Sequence, residues 1–171
     1  MKKIILNLIA LLCIFYGNAQ KTDNEYKEEW EEDVVETKHI EDKTFVHWEN
    51  SFKEAIVKSK LEKKPILIYF TGSDWCGPCK RLDEKLFHTE KFVSYSKEKM
   101  VLYMADFPRN TDLVSEINRS SNKQLSRKYN QESFPTIIIV DENGGVLGRK
   151  NGSYIIEYYF PFFESITNSY N

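Results

Sequence analysis

The sequence predicts an α/β domain built on a mixed central sheet with helices on both faces. Three observations predict it. Ile66–Phe70, Met100–Ala105 and Thr136–Val140 are short, continuous apolar runs, and such runs read as strands buried on both faces. The stretches between them are long enough for helical crossovers, which parallel strands require, so the first three strands are expected to be parallel neighbours at least in part. Asn143-Gly144 follows the last run and signals a hairpin, which adds an antiparallel strand at one edge.

The elements follow in order. Ser51-Phe52-Lys53-Glu54 fits a capping box, and Phe52, Ala55, Ile56 and Ser59 recur at helical spacing, so a helix is expected over about 51–63, stopped by Pro65. Ile66–Phe70 is the central strand. A helix from about Cys76 to Phe87 follows, then a shorter one over about 90–98 capped by Thr89. Met100–Ala105 is a strand ended by Asp106-Phe107-Pro108. Residues 109–130 have helical character, interrupted at Ser120-Ser121-Asn122. Thr136–Val140 is a strand, and Val146–Lys150 is its hairpin partner. A last helix begins near Ser153, with Pro161 kinking or restarting it.

The amino end reads differently. Lys2 and Lys3 precede an apolar run of 13 residues, Ile4–Tyr16, and Gly17-Asn18-Ala19 supplies the small residues a signal peptidase recognises. Residues 1–19 are therefore expected to be a signal peptide, cleaved near Ala19, and the protein is expected to be exported, periplasmic or secreted. The competing reading is an uncleaved anchor, but the run falls short of the ~20 residues that span a bilayer. Cys13 follows two leucines, which argues against a lipid-modified cysteine.

Residues 20–45 form an acidic lead-in, with ten acids against four lysines. It reads as a solvated tail, or as a docking segment anchored by Tyr26 and Trp30. Residues 46–171 are expected to form the folded domain. A length of 171 residues with 41% hydrophobic and 14% aromatic content suits one globular domain, and a net charge of −2 gives no reason to expect nucleic acid as a partner.

Of the three cysteines, Cys13 leaves with the signal, so only Cys76 and Cys79 remain. A pair this close in sequence closes almost no loop, so chain entropy is a poor reason for its presence and redox chemistry a better one. The pair lies in Trp75-Cys76-Gly77-Pro78-Cys79-Lys80, between an expected buried strand and an expected helix. A helix start presents free N–H groups and a positive dipole end, and both favour a thiolate. Cys76, in the first turn, is expected to be the exposed nucleophile. Cys79, one turn on and more buried, is expected to resolve the mixed disulfide. Gly77 lets a substrate chain approach closely, and Pro78 suits an early helical turn.

The pattern resembles the thioredoxin superfamily over about residues 48–165, and most of all its exported single-domain members and the thioredoxin-like end domain of the membrane protein that carries reducing power into the periplasm; the Gly-Pro between the cysteines resembles reducing members more than oxidants, and the oxidase direction stays open. Lys64-Pro65 with the strand and Phe70–Lys80 carry the resemblance, together with Phe134-Pro135-Thr136, Asn143-Gly144 and Gly152. It implies a thioredoxin fold and a cis proline at Pro135 facing the cysteines. It also implies a substrate-binding surface of Trp75, Gly77, Pro78, Phe134, Pro135 and Thr136, in which Phe134 pairs with an extended substrate. The redox-active Cys76–Cys79 disulfide is the only reactive group expected, with no added cofactor. Disulfide-containing proteins are the expected substrates, a membrane thiol donor the expected source of electrons, and a monomer the expected state. One departure stands out. Thioredoxins carry a buried Asp in the strand where this chain has Tyr69, and the loop from Phe70 to Cys76 is one residue longer. Asp74 and Asp106 are candidates to replace the missing acid.

Blander readings compete with these. A lone C-x-x-C can be half of a zinc site, but His39, His47 and His88 show no paired spacing. Trp75 could be core rather than surface. A peptide-binding or chaperone module without essential redox activity is the alternative function.

Overall fold

The computed structural model describes residues 45–152 and 155–170. The expected signal peptide and all of the acidic lead-in except Phe45 lie outside the described residues.

Helix α1 spans Phe52–Glu62. The Ser51 hydroxyl accepts from the Glu54 backbone N–H, so half of the capping box forms, while the Glu54 carboxylate accepts from the Asn50 side chain instead. Lys63 closes the helix in the left-handed conformation before Pro65 is reached. Strand β1 is Ile66–Thr71, buried throughout. Helix α2 spans Gly77–Leu82 and continues as a π-helical turn over Asp83–Phe87. Leu86 and Phe87 in this turn are both buried in the core. Helix α3, Glu90–Lys99, is capped by Thr89 and leads into strand β2, Val101–Asp106.

A short 3₁₀ turn at Thr111–Leu113 precedes helix α4, Glu116–Lys128. The expected break at Ser120-Ser121-Asn122 does not occur. Asn122 is buried, its carbonyl oxygen accepts from the Tyr103 hydroxyl (2.6 Å), and its amide donates to the Asp106 carbonyl (2.9 Å). A residue that disfavours helices locally is held in one by distant partners. Strand β3 is Thr136–Val140 and strand β4 Val146–Asn151. The turn between them is wider than a two-residue Asn-Gly hairpin, because the Asp141 carboxylate accepts from the Asn143 and Gly145 backbones. Helix α5 begins at Tyr159, after a 3₁₀ turn at Ile156–Tyr158, and runs to Thr167. It starts later than expected, and Pro161 sits in its first turn, where a missing N–H costs little.

The strand order is β2-β1-β3-β4. β1 and β2 are parallel, in the register Phe70 to Ala105. β3 is antiparallel to β1, so the expectation of parallel neighbours holds for one pair only. β3 begins beside Phe70, at the end where β1 and β2 finish, because the connection through α4 returns the chain to that end. β4 is the antiparallel edge expected from the hairpin.

Helices cover both faces. Ile66, Ile68 and Phe70 pack with Ala55 of α1 and with Leu125 of α4 and Tyr129, which follows it. Leu67 and Tyr69 pack with Leu82, Leu86 and Phe87, with Phe92 of α3 and with Phe160 and Phe163 of α5. Each face buries a continuous apolar layer, the main source of stability in such a domain. One end of the sheet collects four separate pieces: the loop after β1, the loop after β2, the segment before β3 and the end of β4. No helix among the described residues is long and apolar enough to cross a membrane.

Candidate active site

Cys76 and Cys79 are joined by a disulfide, with Cα atoms 5.2 Å apart. The local sequence explains the position. β1 drives the chain to the end of the sheet, and Cys76 N–H donates to the Gly72 carbonyl (2.8 Å), closing a tight turn. Cys76 is then the cap of α2, and its sulfur accepts from the Cys79 backbone N–H at 3.3 Å. Pro78 occupies the first turn, where its lack of an N–H leaves no bond unmade.

Cys79 is completely buried. Cys76, expected to be exposed, is only 3% exposed. In the oxidised state its sulfur is turned in to Cys79, and both cysteines belong to the apolar layer beneath α2. The exposed part of the motif is Trp75, Gly77, Pro78 and Lys80. The space over Gly77 is open, its nearest neighbour being the tip of the Arg81 side chain.

Trp75 is 38% exposed and fixed at its edge, its indole N–H donating to the Phe107 carbonyl (2.9 Å). Gly72 makes this possible, since a Cβ there would lie 2.4 Å from the Trp75 ring. The Trp75 and Phe134 rings meet edge to face at 5.7 Å, and Phe107 packs on Phe134 at 5.4 Å. The Arg109 guanidinium lies 5.4 Å from the Trp75 ring centre. The two motifs, remote in sequence, thus share one aromatic surface.

The Phe134–Pro135 peptide bond is cis. The Pro135 carbonyl accepts from the Gly152 N–H at 2.7 Å, and Gly152 has the positive φ that favours glycine. Thr136 is fully buried and its hydroxyl donates to the Ser133 carbonyl, so this expected surface residue turns inward. Pro135 is buried as well, so of the three residues only Phe134 is partly exposed.

The acids near the site have different jobs. Asp74 accepts from the backbone N–H groups of Asn110 (2.8 Å) and Arg109 (3.0 Å), and these bonds hold its carboxyl below the ordinary carboxylate range. Asp106 accepts from both the backbone and the hydroxyl of Ser73. The two acids weighed as replacements for the family's strand Asp are therefore engaged as loop staples. A third acid, Asp83, was not anticipated. Burial pushes it up from 3.8 to about 6, opposed by His88 and a Tyr69 hydrogen bond and reinforced by Asp106. The signal that could have found it is its place one helical turn after Cys79. Burial also pushes the Tyr69 hydroxyl far up, so Tyr69 stays a neutral donor. Among the described residues no group of three or more His, Cys, Asp or Glu could hold a metal ion.

A four-stranded mixed sheet between helices, with a cysteine pair capping the helix after its first strand, defines a thioredoxin-type protein. Residues 52–164 match the model of the thioredoxin-like domain family, and the chain belongs to that family. It is 32% identical over 104 residues to the disulfide bond reductase DsbH of Chlamydia pneumoniae, a match covering 61% of each chain. It is 26% identical over 126 residues to the thioredoxin-related protein DsbJ of the same organism, covering 70% of this chain and 36% of that one. These matches span less than two thirds of either relative. The solved structure of a DsbH oxidoreductase superposes with a TM-score of 0.65 at 28% identity, over 73% of this chain and 86% of the other.

Proposed function

We propose that the chain is an exported thiol–disulfide oxidoreductase that reduces disulfides in proteins through Cys76 and Cys79. The observation that carries this reading is the disulfide at the start of α2, with the Cys79 N–H directed at the Cys76 sulfur. The same N–H and the helix end favour the thiolate once the pair is reduced. Cys76 thiolate attacks one sulfur of a substrate disulfide, forms a mixed disulfide and expels a substrate thiolate. Cys79, deprotonated, then attacks the Cys76 sulfur. The Cys76–Cys79 bond forms, the mixed disulfide breaks, and the second substrate thiolate leaves. The protein loses two electrons and the substrate gains them. Trp75, Gly77, Pro78 and Phe134 supply the surface on which an extended substrate lies, while Pro135 and Thr136 are buried.

Likeness to a named disulfide bond reductase supports the reducing direction. Continued turnover then requires a thiol donor outside the described domain, and a membrane electron carrier fits an exported protein whose residues 1–19 read as a cleaved leader. Insulin reduction by the dithiol form tests the reading. Cys76→Ser abolishes it, and Cys79→Ser accumulates a mixed disulfide; full activity in Cys76→Ser contradicts the assignment.

A second reading draws on the exposed Trp75–Phe134 surface, which suits peptide binding without redox work. It requires substrate reduction to be absent and peptide affinity to survive in the Cys76→Ser, Cys79→Ser double variant.

A further inference from the structure

The surface around the cysteine pair carries two cations that the exchange chemistry does not use. Arg109 and Arg81 come from different elements, the loop after β2 and helix α2, and each is held against a residue that adjoins Cys76. We infer that these two guanidinium groups select disulfides flanked by Asp or Glu side chains, so that the substrates are acidic segments of extended chain; this rests on the function proposed above.

Three observations carry it. First, Arg109 is exposed yet fixed at the site. Its backbone N–H donates to the Asp74 carboxylate at 3.0 Å, and its guanidinium lies 5.4 Å from the centre of the Trp75 ring, which itself donates to the Phe107 carbonyl in the same loop. A guanidinium resting on an aromatic ring keeps its N–H fork free at the rim, and that fork matches a carboxylate. Second, Arg81 serves the other neighbour of Cys76. One of its guanidinium nitrogens lies 3.8 Å from the place a Cβ on Gly77 would take, and that space is otherwise open, so a chain approaching over Gly77 meets a cation there. Third, the acids beside the motif are occupied. The Asp74 carboxylate accepts from the Arg109 and Asn110 backbones, and the Lys80 ammonium sits 2.8 Å from the Asp74 carbonyl oxygen. Asp106 accepts from Ser73. Among the described residues neither Arg109 nor Arg81 forms an ion pair with a carboxylate.

The reach suits this role. Extended chain advances ~3.3 Å per residue, so carboxylates roughly one to three residues from the substrate's reacting cysteine come level with the two guanidinium groups. The cations attract those carboxylates before and after the sulfur exchange alike, so they act on encounter and docking rather than on the bond that breaks. This separates selection from activation of the nucleophile. A cation that acted only on the Cys76 thiolate would change the rate with every substrate by one factor, whereas selection depends on the charge the substrate brings.

Two synthetic disulfides test it, each a homodimer of a short peptide with a central Cys, flanked by Glu in one and by Lys in the other. The reduced full chain reacts with each, and its rate is divided by that of dithiothreitol on the same peptide, which removes the peptide's own reactivity. Wild type is expected to favour the Glu peptide at least ~10-fold at low salt, and to lose most of that preference toward ~1 M NaCl, where the screening length is ~3 Å. Arg109→Gln and Arg81→Gln are each expected to slow reduction of the Glu peptide and speed that of the Lys peptide, lowering the preference at least ~3-fold. Arg109→Lys, which keeps the charge, retains the greater part of it. Equal relative rates in wild type, or a preference for the Lys peptide, overturn the inference. Slowing of both peptides by one factor in both glutamine variants overturns it too, because that marks a structural role or an effect on the thiolate. Reduction of neither peptide by the wild-type dithiol would instead sink the oxidoreductase reading itself, and this inference with it.

Discussion

At the scale of single residues, Asp83 is a carboxyl that folding disfavours in its charged form. Its carboxyl is raised from 3.8 to about 6, chiefly by burial. Between those values the folded chain binds more protons than the unfolded one, so stability falls as pH rises through this window and the cost is fully present above it. Asp83→Asn removes the cost and keeps a polar group for Tyr69. It is expected to raise unfolding free energy at pH 7 by on the order of 1–3 kcal/mol and to have little effect at pH 4. Urea denaturation at the two pH values measures this, and a destabilised variant at pH 7 contradicts the assignment of burial as the cause. Asp74 has the opposite character: backbone donors satisfy it, and its role is geometric.

At the scale of elements, that geometry joins two loops. Asp74 lies two residues before Cys76, and its carboxylate binds the backbone of Arg109 and Asn110 in the loop after β2. Trp75 reaches the same loop at Phe107. Asp74→Ala is expected to speed amide hydrogen exchange at Arg109 and Asn110 at least tenfold while leaving β1 protected. Unchanged exchange there shows that the Trp75–Phe107 and Ser73–Asp106 bonds hold the loop without Asp74. The elements themselves were largely legible in the sequence. Ile66–Phe70 and Thr136–Val140 are unbroken apolar runs, and Ser51 and Thr89 announced helix starts that their hydroxyls do cap. Helix α4 was misread at Ser120-Ser121-Asn122 because the partners of Asn122 lie 16 and 19 residues away, and local propensity carries no trace of them.

At the scale of the whole molecule, the arrangement of strands was only half legible. A crossover longer than a hairpin allows a parallel neighbour but does not compel one, and β3 returns antiparallel from the same end of the sheet. That return brings Phe134-Pro135 to the end where Trp75 and Cys76 emerge, which motif reading expected by resemblance and the fold provides through the Trp75–Phe134 contact. The meeting of Tyr69 with Asp83 was hidden for the same reason: two residues 14 positions apart become neighbours only when α2 packs on β1. The central claim is that folding holds one sulfur ionised at a helix start and a second, buried, behind it. The most direct measurement is alkylation of the reduced full chain by iodoacetamide as a function of pH, with the modified cysteine located by mass spectrometry. Cys76 is expected to react first with a midpoint below ~7.5 while Cys79 stays protected. Cys76 titrating at ~8.5 like a free thiol, or Cys79 reacting ahead of it, contradicts the account.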